Sequence, residues 1–200
     1  MTPLPGELRA RLDAAGIPCS EGSPDPGAPG GIPQQIGDAA RHQVRYLAQR
    51  GHRAIAYARA ADPALGMLDG LRARAAEDEA AALGLAITVL GPASEPIELA
   101  RDLRRAVDEG ITAVAACNDE VAFRILGAAA RARTAVPDEL AVIGVDDLPL
   151  SAACRPALTT VRYSAPSLEE FTASVEATLA GEPMPFVAIG APELVRRESA

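Results

Sequence analysis

No lysine and no tryptophan occur in this chain. All 19 basic residues are arginine, and against 27 acidic residues they leave a formal net charge of −8. That sign repels a phosphate backbone, so the chain by itself is not expected to bind nucleic acid. Aromatics make up only 3% of the residues, so a core has to be built from Ala, Val, Leu and Ile. The three cysteines, Cys19, Cys117 and Cys154, are odd in number, far apart and without a CxxC pair. Neither a disulfide framework nor a zinc site follows from them, and a reducing cytosol fits best. No apolar run approaches the ~20 residues of a membrane span. The start, Met1-Thr2-Pro3, lacks the basic and apolar regions of a secretion signal. The expectation is a soluble, cytoplasmic protein with no membrane partner.

Catalytic signatures are also missing. There is no GxSxG, no phosphate loop, no GxGxxG and no HExxH. His42 and His52 are the only histidines. His42 falls inside a helical segment as a surface residue. His52 follows the helix-ending Gly51, where a helix C-terminus would favour a partly charged imidazole. Cys117 has an apolar segment before it and no histidine nearby in sequence, so it reads as a buried structural thiol. No enzyme, no catalytic residue, no cofactor and no metal is expected.

What the chain does have is a regular alternation of helix and strand patterns. Helices are expected at 7–15, 38–50, 63–83, 95–109, 119–133 and 167–180, most of them stopped by glycine. Strands are expected at 53–58, 85–90, 112–117, 140–145 and 158–162, with short strand-like pieces at 17–19, 186–189 and 194–197. Residues 20–33, rich in Gly, Pro and Ser, read as a loop. Strands that are apolar throughout are buried on both faces. Alternating with helices, they imply an α/β fold with doubly wound parallel sheets.

In such sheets ligands bind beyond the carboxyl ends of the strands. Two apolar segments end in polar residues: 112–117 runs into Asn118-Asp119-Glu120, and 140–145 runs into Asp146-Asp147. A carboxylate accepts hydrogen bonds from hydroxyls, and an amide both donates and accepts. Together they suit a small polar ligand. A plainer reading stands beside this one. Asn118 is a good helix N-cap, Asp119 and Glu120 suit a helix N-terminus, and Asp146-Asp147 could be a turn before Pro149.

Several segments, taken in order, resemble one family. They are Gly51-His52-Arg53-Ala54-Ile55-Ala56, then Cys117-Asn118-Asp119-Glu120-Val121-Ala122, then the run from Val136-Pro137-Asp138 to Gly144-Val145-Asp146-Asp147, then Pro156-Ala157-Leu158-Thr159-Thr160-Val161, and finally Glu193-Leu194-Val195-Arg196-Arg197-Glu198-Ser199. In order and spacing this set resembles the LacI/GalR family of transcriptional regulators.

The resemblance implies a two-lobed core like a type I periplasmic binding protein, with an incomplete N-terminal lobe. Residues 1–52 and 163–185 would make that partial lobe; residues 53–162 and 186–200 would make the C-terminal lobe. A sugar-like effector would bind between them, held by Asn118 and Asp146, with Asp119 and Asp147 behind. Val121, Phe123 and Leu126 would contribute to a homodimer interface, although Phe123 is equally an ordinary core candidate. Operator DNA would be bound only through a headpiece that this chain lacks. Two positions depart from the family pattern. Met67 stands where an arginine grips sugar hydroxyls, and Gln35, beside Gln34, stands where an acidic residue is common. Both put a typical sugar in doubt. The other readings carried forward are a stand-alone small-molecule binding protein of this fold, an enzyme on a Rossmann-like sheet, and a truncated fragment.

Overall fold

A computed structural model describes residues 6–17, 32–91, 95–164, 166–180 and 190–200. The expected strand at 186–189 and most of the expected loop at 20–33 lie outside these residues. So do Pro18 and Cys19 of the piece at 17–19; its described residue, Ile17, is not in a strand.

The described chain divides into two compact units, residues 1–35 with 164–191 and residues 36–163 with 192–200. The division falls after Gln35, seventeen residues earlier than the 52/53 boundary expected from the sequence, and the reason lies in helix α2 (Ile32–Gln49). From Gly37 onward this helix packs with the large unit: Ala39, Ala40, Val44 and Leu47 are fully buried there. Gly37 permits the close approach, because a Cβ at that position would stand 2.9 Å from the Cβ of Ala75 on the next helix.

The large unit is a single six-stranded sheet. Its strands are β1 (Ala54–Ala58), β2 (Ala86–Leu90), β3 (Ala113–Ala116), β4 (Ala141–Val145), β5 (Thr159–Tyr163) and β6 (Pro192–Val195), in the order β2-β1-β3-β4-β5-β6. All neighbours are parallel except β5 and β6, which are antiparallel. The parallel part is therefore as expected, and the last strand closes the sheet in the opposite sense. The centre is dry: β3 and β4 are buried at every residue, whereas β2, at the edge, is mostly exposed. Small side chains dominate that centre, with Ala113, Ala115 and Ala116 fully buried, which lets helices sit close to the sheet.

The crossovers are made by α3 (Gly66–Ala82), α4 (Pro96–Asp108) and α5 (Asp119–Ala132). A single 3-10 turn (Pro63–Leu65) leads into α3, capped by the Asp62 side chain on the amide of Ala64. A short helix, α6 (Pro149–Ala153), links β4 to β5. In the strand order 2-1-3-4-5 the sequence of strands reverses between β1 and β3, so this sheet has a topological switch point there.

The small unit contains α1 (Gly6–Ala14) and α7 (Leu168–Leu179). A capping box starts α7: the amide of Glu170 donates to Ser167 Oγ and the amide of Ser167 donates to Glu170 Oε2. Leu168, Phe171 and Leu179 of α7 are 81%, 58% and 71% exposed.

Candidate functional site at the carboxyl edge of the sheet

β3 and β4 end side by side, and each hands over to polar residues. Asn118 leaves β3 in extended conformation and caps α5: its Oδ1 accepts from the amide of Val121 at 2.9 Å. The capping role expected of Asn118 is therefore real. It uses the oxygen and leaves the Nδ2 group as a donor.

β4 ends differently. Asp146 and Asp147, directly after Val145, have φ of 113° and 54°. Two consecutive non-glycine residues in this region store backbone strain of roughly 1–3 kcal/mol each. Neighbouring structure holds the turn. The amide of Asp146 donates to Val161 O at 2.8 Å. Asp147 Oδ1 accepts from Arg197 Nη2 at 2.6 Å, and its Oδ2 lies 3.6 Å from Arg162 Nη1. With only 16% of its side chain exposed, Asp147 is a clamp for the C-terminal segment. Asp146 is the one left open, with 42% of its side chain exposed. Its pKa is raised by the partial desolvation of this edge, and Arg72 opposes that shift.

Asp119 is not open to a ligand at all. It is fully buried. Its Oδ2 accepts from Ser151 Oγ at 2.5 Å and from the amide of Leu148 at 2.8 Å, and its Oδ1 accepts from Thr160 Oγ1 at 2.6 Å. One carboxylate thus ties α5 to the β4–α6 turn and to β5. Burial raises its pKa, and those three donors pull it back. Asp119 thus has both oxygens engaged within the chain, and Asp147 is held by Arg197 and Arg162, so both stand behind Asn118 and Asp146 rather than beside them.

Two residues at this edge carry no motif and were not anticipated. Arg72 of α3 is 4% exposed. Its Nη1 donates to the carbonyl of Cys117, the last position before Asn118, at 2.6 Å, and its Nη2 lies 3.5 Å from Asp146 Oδ1. Gln43 of α2 is fully buried and points its Nε2 at the carbonyls of Ala116, Gly144 and Ile143, at 2.9, 3.0 and 3.1 Å. Arg72 Nε and Gln43 Oε1 are buried polar atoms with no hydrogen-bond partner among the described residues. The signal was in the sequence: Asp69, Arg72, Ala73 and Ala76 share the i, i+3, i+4, i+7 face that α3 buries, and charged residues on a buried face need partners. Asp69 has its own set, accepting from Arg59 Nε at 2.7 Å, from the Ala60 amide at 3.2 Å and from Tyr57 Oη at 3.4 Å.

The remaining expectations divide. Met67, in the first turn of α3, is 48% exposed. Gln35 belongs to the small unit. Val121 and Leu126 are each 8% exposed within the chain's own core, so they offer little surface to a second copy; Phe123 is only partly buried. Cys117 is fully buried as expected, its thiol pushed up to about 11 by desolvation. His52 departs from expectation. Burial and the charge of Arg50 lower its pKa, and its Nδ1 sits 2.9 Å from Thr112 Oγ1. Among the described residues no group of three His, Cys, Asp or Glu could hold a metal ion.

Comparison with known proteins agrees with this architecture. The periplasmic binding protein-like domain family matches residues 44–200. The HTH-type transcriptional regulator GalR of Salmonella typhimurium is 34% identical over 165 residues, which is 78% of this chain and 47% of that protein. GntR of Pseudomonas aeruginosa is 29% identical over 162 residues, 77% of this chain and 46% of that protein. The chain thus spans about half the length of the curated relatives it matches. Among solved structures, a sugar-binding LacI-family regulator from Escherichia coli complexed with phosphate superposes with a TM-score of 0.72 at 21% identity, over 97% of this chain and 72% of that one. A LacI-family regulator from Lactobacillus casei with bound glucose gives 0.63 at 26% identity, over 83% of this chain and 63% of that one. The chain belongs to the periplasmic binding protein-like domain family.

Proposed function

We propose that this chain is the effector-sensing part of a transcriptional regulator and that a small hydroxylated molecule binds at the carboxyl edge of its sheet. The observation that carries the reading is Asp146: an accessible carboxylate on a strained turn, next to the free amide donor of Asn118, where β3 and β4 end. Backbone strain is kept where the surrounding structure imposes it, and it clusters at ligand clamps and switches. One carboxylate acceptor beside one amide donor suits a hydroxyl pair, as in a sugar.

In the complete protein, effector and DNA would be coupled. That requires the effector to bind two lobe arrangements with different affinity. Recognition of the operator would fall to a part of the regulator other than this acidic domain, whose net charge of −8 repels a phosphate backbone. The two units into which the chain divides, residues 1–35 with 164–191 and residues 36–163 with 192–200, would correspond to the two lobes. A second copy would pair through the α5 face that carries Phe123, and the protein would work in the cytoplasm without enzymatic activity. Relatives that are regulators, and a neighbour with bound glucose, support this reading.

A thermal-shift screen of the purified protein against sugars, sugar phosphates, nucleosides and amino acids tests it. A ligand at 100 times its Kd stabilises by ~2.7 kcal/mol. A shift seen with the wild type and absent from Asp146→Ala supports the site. A shift that survives in Asp146→Ala contradicts it.

A further inference from the structure

The expected sugar-gripping arginine is absent at position 67, yet a guanidinium does reach Asp146. It comes from Arg72, five residues further along α3 and roughly 140° around the helix. We propose that Arg72 is a positioning residue for ligand binding at this edge: it holds Asp146 in place and is itself spent on that pairing, so that the surrounding carboxylates select an uncharged polyhydroxylated ligand over a sugar acid or sugar phosphate. This rests on the reading of the carboxyl edge as the effector site.

The argument is geometric first. Arg72 cannot swing freely, because its Nη1 is anchored at 2.6 Å on the Cys117 carbonyl. That anchor leaves Nη2 toward Asp146 Oδ1, and Nε buried without a partner among the described residues. A buried guanidinium with an unmet donor is held in place by its surroundings rather than by solvation, and lysine cannot reproduce such a fork.

Charge then sets the ligand class. The charged groups facing Asp146 are Arg72 from α3 and Asp119 and Glu120 from α5. Asp147, next in sequence, is occupied by Arg197 and Arg162. The other guanidinium at the end of β1, Arg59, is held by Asp69 at 2.7 Å. Among the charged groups facing Asp146, carboxylates therefore outnumber the one cation, Arg72, which is already engaged with Asp146 and the Cys117 carbonyl. A carboxylate or phosphate on the ligand would meet like charge, which costs binding energy. A hydroxyl can donate to Asp146 and accept from Asn118 Nδ2.

The test is calorimetric titration of the purified protein with glucose, galactose and ribose, the two hexoses beside their aldonic acids and all three beside their phosphates, at fixed ionic strength. The expected result is that a neutral sugar binds at least tenfold tighter than its charged counterparts. Arg72→Met should weaken it at least tenfold. The acid limb of binding should also move to higher pH in Arg72→Met, because the cation that opposes protonation of Asp146 is gone. Should Arg72→Met fail to melt cooperatively, Arg72→Lys keeps the charge, removes the fork and should still weaken binding several-fold. Charged counterparts that bind as well as neutral sugars overturn the proposal. So do well-folded Arg72 variants with wild-type affinity. Binding that needs Asp146 but not Arg72 overturns this inference alone; no binding by any of these probes overturns it together with the reading on which it rests.

Discussion

A Cβ placed on Gly144 would stand 2.1 Å from Oδ1 of Asp119 and 3.0 Å from Leu158 Cδ2. The glycine in β4 therefore exists to make room for a buried carboxylate on the next helix over. Gly144→Ala should cost roughly 3 kcal/mol, through overpacking and loss of the Thr160 hydrogen bond. Urea denaturation measures it; a loss under about 1 kcal/mol would show that Asp119 can move aside without penalty.

Asp119→Ala should also destabilise, by roughly 2–4 kcal/mol, because it leaves the Ser151 and Thr160 hydroxyls and the Leu148 amide without their acceptor. The two substitutions share one contact, so their effects should not add. The double variant should be more stable than the sum of the singles predicts, by at least about 1 kcal/mol. Simple additivity would mean that the clash does not decide the outcome at Gly144.

Asp147→Ala should release the C-terminal segment. Arg197 would lose its carboxylate at 2.6 Å while still reaching the Leu158 carbonyl at 2.8 Å. About 2 kcal/mol is expected from the loss of a largely buried charged pair. Hydrogen exchange should speed up at Ser199, whose amide donates to Ala157 O, and at Val142, whose amide donates to Ser199 O. Unchanged exchange at both amides would separate the clamp from the anchoring of that segment.

His52 makes a pH prediction. Its pKa is lowered in the folded state, so the unfolded chain binds the proton more readily. The stability it contributes is complete above its ordinary value and is lost as pH falls through that value toward the lowered one. Urea unfolding should show a decline as pH falls below about 6.5 that is missing in His52→Gln. The same slope in both proteins would assign the decline to other groups.

Much of this molecule could be read from its residues, for identifiable reasons. Strands such as β3 and β4 are apolar at every position because both faces are covered, and helices such as α5 carry their own caps. What could not be read is how polar atoms are shared in three dimensions. Asp119 in a first helical turn looks the same whether it faces solvent or three buried donors. Asp146 and Asp147 are adjacent and chemically identical, yet the turn opens one and closes the other with Arg197. The start of α2 reads as loop because Gly and Pro precede it, although Ile32-Pro33 is a workable helix start. The five-residue helix α6 is too short to show a period. The closing Arg197-Glu198-Ser199 signature is structural here: Ser199 Oγ donates to Val142 O at 2.6 Å and accepts from the Thr159 amide at 2.9 Å.

The most direct test of the central claim is the thermal shift of the wild type, Asn118→Ala and Asp146→Ala with a sugar found by the screen. Removing the cap should lower the unligated stability of Asn118→Ala by about 1 kcal/mol, so each variant is compared with its own unligated melt. The account predicts a ligand-induced shift in the wild type that disappears in Asp146→Ala and is reduced in Asn118→Ala. A shift of wild-type size in both variants would place the ligand elsewhere and contradict the assignment of the carboxyl edge.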